Sequence, residues 1–114
     1  MKPFSVGANL VANTKTTLYT VPSTYYAKWN LLYAHNSTAS AKNFSAWWYD
    51  KSTNTEVAIV SDYPLDSKAY LKFDGGAYVT LEEGDEIRVK SETGSTASCI
   101  ITLELHQKNA TNFN

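Results

Sequence analysis

Apolar and polar residues alternate along most of this chain, and the alternation is cleanest over residues 97–106. In that run one face carries Cys99, Ile101, Leu103 and Leu105, and the other carries Ser98, Thr102, Glu104 and His106. A side-chain period of two with one apolar face is typical of a half-buried antiparallel strand. No segment of adequate length repeats apolar residues with the helical spacing. The pattern therefore predicts strands throughout and no helix.

The same pattern, interrupted by residues that favour turns, places the strands along the chain. We predict strands at 6–12, 16–21, 26–35, 43–49, 56–61, 70–73, 77–81, 86–90 and 97–106. Residues 62–66 are interpreted as a connection, because Pro64 lacks the backbone N–H that a ladder needs. The Asp-Gly-Gly sequence at 74–76 predicts a hairpin turn.

This spacing of short strands predicts the fold class. About eight strands at intervals of roughly 8–12 residues favour an all-β, two-sheet antiparallel sandwich, Ig-like or jelly-roll-like, with a small closed barrel as second choice. The 114 residues are enough for one domain with a real core. We assign 1–107 to the sandwich and 108–114 to a polar C-terminal tail.

The segment 79–89 is the most informative single stretch. Its pattern predicts that Leu81 points inward before a Gly-Asp corner and that Ile87 and Val89 point inward after it. Gly84 supplies the backbone freedom for the corner, and Asp85 can hydrogen-bond its own turn. All of these residues serve the scaffold rather than chemistry.

The aromatic residues exceed what one core face can hold. In the sequence Phe44-Ser-Ala-Trp-Trp-Tyr49, alternation that buries Phe44 and Trp48 turns Trp47 and Tyr49 to the opposite face. The third strand has the same conflict, with Trp29, Leu31 and Tyr33 against Leu32 and Ala34. Loops that cover the rings are one explanation.

The other explanation is a binding surface. Trp and Tyr are favoured anchors in protein interfaces. We therefore name Trp47 and Tyr49 as candidate partner contacts, with Tyr25 and Tyr26 in an adjacent loop as weaker candidates. A carbohydrate stacking on the same rings is the alternative of another class.

The charge balance excludes some partners and gives the surface its character. A formal net charge of -1 supplies no electrostatic reason to bind nucleic acid or an anionic membrane. Only 18% of residues are charged, so hydroxyls and amides provide solubility and suit wet protein contacts. The start of the chain lacks a signal-peptide pattern and the chain has a single cysteine, so we expect synthesis in a cytoplasm.

Candidate chemistry is sparse. His35 and His106 have no further ligand at a recognisable spacing, so we predict no metal site, and the acidic run at 82–86 does not match a calcium loop. Cys99 lies on the inward face of its strand, as a buried hydrophobe does. No nucleophile elbow, phosphate-binding glycine loop or zinc-protease motif occurs. We predict no catalytic residues, no cofactor and no enzymatic activity.

Two motifs together resemble a known group of proteins. Thr17-Leu-Tyr-Thr-Val-Pro22, a strand that ends in His35-Asn36, and Tyr78-Val-Thr-Leu-Glu-Glu-Gly-Asp-Glu-Ile-Arg-Val89 look like small β-sandwich virion proteins of tailed bacteriophages. The resemblance covers about residues 16–107. It departs at the turn after Pro22, where the family more often has small residues.

The resemblance implies a structural role in a virion. A capsid decoration or cement protein on the head lattice is the first expectation, and a tail- or fibre-associated protein is the second. The implied partners are the major capsid protein or tail components, with a homo-oligomer also open, and the implied location is the virion.

Overall fold

The computed structural model describes residues 2–73 and 79–108, and these residues form two antiparallel sheets. The described part of the chain contains nine strands and no helix. The strands are β1 (Lys2–Leu10), β2 (Thr16–Thr20), β3 (Tyr25–Asn36), β4 (Lys42–Asp50), β5 (Thr55–Leu65), β6 (Tyr70–Phe73), β7 (Val79–Leu81), β8 (Glu86–Ser91) and β9 (Ala97–Gln107). The predicted turn at 74–76 and all of the predicted tail except Lys108 lie outside the described residues.

The strand order is that of a jelly roll. One sheet has the order β1-β9-β3-β6, with β7 also paired to β3, and the other has the order β2-β8-β4-β5. Since β6 and β7 pair with successive stretches of β3, they share one position at that edge. Successive strands β1 to β4 alternate between the sheets, as they do in a double Greek key. The predicted all-β sandwich is confirmed, in its jelly-roll form.

The core fills the space between the sheets with the residues that alternation selects. On β8 and β9 the inward side chains are almost fully buried, among them Ile87, Val89, Cys99, Ile101 and Leu103. On β3 the register against β9 shifts between Trp29 and Leu31. This bulge changes the phase of the strand, so Trp29 and Leu32 both face the core. The bulge removes the conflict that strict alternation predicted for this strand.

The prediction that residues 62–66 form a connection was wrong. β5 continues through Pro64 to Leu65, with Pro64 opposite Asn43 of β4. β5 lies at the edge of its sheet, where a residue without an N–H costs no ladder bond if that side faces outward. Asp62 has a φ of 50° next to a register shift, so the strand bends locally but does not end there.

The Gly-Asp corner carries the chain from one sheet to the other. β7 belongs to the five-stranded sheet and β8 to the four-stranded sheet, so the two halves of 79–89 face each other across the core. Gly84 has a φ of 86°, and a Cβ there would lie 3.0 Å from Cγ of Lys51. Both the backbone conformation and the space therefore favour glycine at this position.

Asp85 holds the corner from inside. Its side chain is 1% exposed, and its carboxylate accepts three hydrogen bonds. Oδ1 accepts from the Lys51 amide (3.0 Å), and Oδ2 accepts from the Glu82 amide (2.9 Å) and from Trp48 Nε1 (3.1 Å). One buried carboxylate thus ties the corner to β4 and to the turn that follows it.

The two sequence motifs that carried the resemblance meet at this corner. The Val21 N–H donates to the Asp85 carbonyl (3.0 Å), and the Gly84 N–H donates to the Val21 carbonyl (2.9 Å). Val21 itself is buried. Their joint occurrence in the sequence therefore reflects one structural unit.

Candidate partner-binding surfaces

Trp47 and Tyr49 lie together on the outer face of the four-stranded sheet. Phe44 and Ala46 of the same strand are fully buried, and Trp48 packs against the core from the inner side. Alternation then turns Trp47 and Tyr49 outward, where both are half-buried. The facing directions predicted for this strand are those that the structure has.

The outer rings are covered by cations of the same chain. The Lys15 ammonium lies 4.0 Å from the centroid of the Trp47 ring, and the Arg88 guanidinium carbon lies 4.0 Å from that of Tyr49. Such cation–π contacts contribute about 0.5–1 kcal/mol at exposed sites. The loop before β2 supplies Lys15 and β8 supplies Arg88, and neither cover was anticipated from the sequence.

Glu56 holds the two cations in place. Its carboxylate binds Lys15 Nζ at 2.7 Å and Arg88 Nη1 at 3.0 Å, and Glu86 binds Arg88 Nε at 2.9 Å. Partial burial pushes the pKa of Glu56 upward, but the hydrogen bonds and charges of Lys15 and Arg88 outweigh it and leave that pKa below its ordinary value. We call Lys15, Trp47, Tyr49, Glu56 and Arg88 the Trp47 surface. It is a mixed aromatic and ionic surface rather than a bare apolar patch.

Tyr25 and Tyr26 do not join this surface. They begin β3 in the five-stranded sheet rather than lying in a loop next to Trp47. Tyr25 packs against the core, and the Tyr26 ring stacks on His106 with centroids 4.9 Å apart. The structure therefore divides the four predicted contact residues between the two sheets.

A second surface, which the sequence reasoning missed, lies on the outer face of the five-stranded sheet. Ile100 is 44% exposed and Tyr70 is 60% exposed. Tyr33 lies opposite Ile100 in the ladder and stacks on Tyr70, with centroids 5.2 Å apart and rings nearly parallel at 7°. We call Tyr33, Tyr70 and Ile100 the Ile100 surface. The period of two in 97–106 already placed Ile100 outward, among polar neighbours, and that was the available signal.

The side chains considered for chemistry are engaged in structure. His35 Nδ1 lies 3.1 Å from the Ser37 hydroxyl, and burial raises the pKa of Cys99 to about 12. The acidic run is divided, since Asp85 is buried while Glu82 and Glu83 pair with Lys108. Among residues 2–73 and 79–108, no group of three or more His, Cys, Asp or Glu is placed to hold a metal ion.

A small polar pocket lies where β4, β5 and β8 meet. Its volume is about 170 Å³, and it is lined by residues that include Asn43, Ser45, Asp62 and Ser91. Typical small-molecule sites are larger, about 300–1,000 Å³, and mostly apolar. The Ser91 hydroxyl is buried and has no hydrogen-bond partner among residues 2–73 and 79–108.

Comparison with known proteins gives only distant similarities. No family model matches the chain, and no curated protein matches it. Among solved structures, it is similar to the globular domain of zebrafish complement 1qA protein, with a TM-score of 0.49 and 15% identity over 94% of this chain and 98% of that chain. It is also similar to the structure of infectious bursal disease virus, Gx strain, with a TM-score of 0.45 and 12% identity over 93% of this chain and 32% of that chain. Similarity this low carries no information about function.

No helix in the described part of the chain has the length and apolar character needed to cross a bilayer.

Proposed function

We propose that this chain is a structural accessory protein of a tailed-phage virion, and that it binds the head lattice as a decoration or cement protein. The sequence motifs at 17–22 and 78–89 support this family. The observation that carries the binding role is the Ile100 surface, where large apolar side chains stand in water on the broad face of a sheet. Contact with a partner would remove that apolar area from water.

The Ile100 surface is the stronger candidate for the primary contact. At the Trp47 surface the rings already have cations of the same chain against them, and two ion pairs would have to be desolvated on binding. Ile100 and Tyr70 are themselves uncharged, so burying their side chains desolvates no ionic group of their own. Trp47 and Tyr49 remain a proposed second contact, with their charged neighbours forming a polar rim.

Binding to particles that lack this protein tests the proposal. Ile100→Asp should weaken the association by ~2 kcal/mol or more, because it places a charge at the centre of a desolvated contact. Thr80→Asp is the matched control, since Thr80 is exposed on β7 of the same sheet and should bind as the wild type does. A thermal melt of each variant confirms that the domain stays folded.

The outcome of this assay decides the proposal. If both Ile100→Asp and Trp47→Ala bind particles with wild-type affinity, attachment through these surfaces is refuted. Antibody labelling of purified particles by electron microscopy then separates head from tail. Label confined to the tail would replace the decoration role with the tail- or fibre-associated role.

Carbohydrate binding is the second candidate, and one observation favours it. The Glu56 carboxylate and the Asn54 amide, which accepts a hydrogen bond from the Tyr49 hydroxyl, lie beside the rings of the Trp47 surface. Sugar sites combine such polar groups with an aromatic platform. Tryptophan fluorescence titrated with oligosaccharides tests it. A saturable change that Trp47→Ala abolishes would favour a sugar site over the virion role.

A further inference from the structure

The edge strands of this sandwich differ in how well they are protected from pairing with another strand. β5 contains Pro64 and a bend at Asp62, and β2 has five residues interrupted by a register shift. β6 has four residues, including Lys72. Short length, Pro, bulges and charge are the usual means of blocking an edge. These edges therefore resist strand addition.

β1 has a charge and a proline only at its start, Lys2 and Pro3, and none of these protections from Phe4 to Leu10. It pairs with β9 over nine residues without a register shift, and no other strand of the described residues pairs with its free side. The sequence carries no charge from Pro3 to Thr14. A long, regular and uncharged edge is a template for a further strand.

The inward side chains of β1 are incompletely covered. Phe4, Val6 and Leu10 pack against the core but are only half-buried, as is Ala8 between them. Their partners Leu103, Ile101 and Cys99 on β9, opposite Phe4, Val6 and Ala8, are fully buried. A strand added beyond β1 would cover this apolar row and would supply partners for its outward N–H and C=O groups.

We propose that the occupant is β1 of a second copy, paired antiparallel about a two-fold axis at Gly7. In that register Phe4 lies opposite Leu10 of the second copy, and Val6 lies opposite Ala8 of the second copy. On the other face Ser5 lies opposite Asn9 of the second copy. Apolar residues thus meet apolar residues, and small polar residues meet small polar residues. Such self-complementarity is what a two-fold interface requires.

Gly7 at the axis agrees with a close approach from outside. It does not adopt a positive φ, and a Cβ there would meet Ile100 Cγ1 at 3.5 Å, an ordinary contact. Neither the backbone conformation nor the packing within the subunit requires glycine. Glycine within a strand often marks a position where another backbone comes close. This inference stands apart from the proposed attachment to a virion.

Sedimentation of the isolated chain over a wide concentration range is the first test. The measured molecular mass should reach twice that of the monomer at high concentration. Gly7→Lys places two ammonium groups opposite each other at the axis and should weaken the dimer ~tenfold or more. Gly7→Glu should do the same. An equimolar mixture of the two variants should regain the dimer, whereas Gly7→Ala should keep it.

Cross-linking gives a second measurement that does not depend on the charge variants folding well. Gly7→Cys places two thiols on the axis within reach of a disulfide, about 4.5–5.5 Å between Cα atoms. Asn9→Cys is the matched control on the same face, because its symmetry mate lies about 13 Å away along the strand. Mild oxidation should cross-link the first variant and not the second. The buried Cys99 does not compete.

Three results would overturn the proposal. The chain remains monomeric at every concentration, as it would if β1 accepts a strand from a different protein. The dimer persists in Gly7→Lys, so another surface forms it. Asn9→Cys cross-links as readily as Gly7→Cys, so the register is wrong.

Discussion

The buried carboxylate of Asp85 gives the sharpest test of how this fold is held together. Asp85→Ala removes the acceptor for three N–H groups, from Lys51, Glu82 and Trp48. A donor left without a partner in the interior costs about 1–3 kcal/mol. Lys51 and Glu82 are exposed, so water can reach their backbone N–H groups, and we assign each of them the low end of this cost. Trp48 Nε1 is assigned the middle of the range. The expected loss is about 3–4 kcal/mol.

That loss is large against the stability of such a domain. Domains of this size unfold with about 5–15 kcal/mol, so Asp85→Ala should remove a substantial share. At about 4 °C per kcal/mol the midpoint of thermal unfolding should fall by roughly 12–16 °C. Urea unfolding followed by tryptophan fluorescence gives the free energy directly, and circular dichroism gives the midpoint.

Two further variants separate the hydrogen bonds from the loss of a side chain. Asp85→Asn keeps the shape and one acceptor oxygen but turns an N–H₂ group toward a donor, so we expect an intermediate loss. Asp66→Ala is the control, because Asp66 is exposed and its carboxylate has no hydrogen bond to the described residues; it should change stability by less than ~0.5 kcal/mol. A loss below about 1 kcal/mol in Asp85→Ala would refute the argument.

Three other predictions test the surfaces and the core. Glu56→Gln should lower the stability of the domain at neutral pH and make that stability less dependent on acid. Folding lowers the pKa of Glu56, so its carboxylate stabilises the native state above the unfolded-state pKa and loses that contribution as the pH falls through the folded-state pKa. Urea titrations from neutral to acidic pH measure this dependence. Cys99 should resist a thiol reagent in the native chain at neutral pH and react after unfolding, since burial raises its pKa to about 12. Trp47→Ala should destabilise the isolated domain less than the ~3–5 kcal/mol expected for Phe44→Ala, because Trp47 is only half-buried, whereas equal losses in thermal melts would place Trp47 in the core.

The parts of the fold that depend on local pattern could be predicted from the sequence. Alternation identified the inward residues of β8 and β9, such as Ile87 and Ile101, because each strand reports its own buried face. The corner at Gly84 and Asp85 was also readable, since turn residues act over a few neighbours.

The parts that failed depend on partners distant in the chain. Pro64 predicted a connection rather than a strand. The sheet tolerates a proline there because β5 is an edge strand, and no local pattern reveals that position. The outward direction of Trp47 was predictable, while its cover by Lys15, 32 positions earlier, was not. Trp47 and Tyr49 thus share one face as predicted, whereas the cations that cover them and the whole Ile100 surface were not predicted.

The pairing of β1 with β9 has a consequence for how the chain is made. The ladder partner of β1 is β9, and the ladder partner of β2 is β8, so both partners come much later in the chain. During synthesis β1 and β2 emerge well before their ladder partners, whereas β4 and β5 can already pair as neighbours in the chain. Closure of the two sheets therefore depends on contacts between strands that are distant in the chain, which makes folding slow and leaves apolar strand faces exposed to aggregation in the meantime.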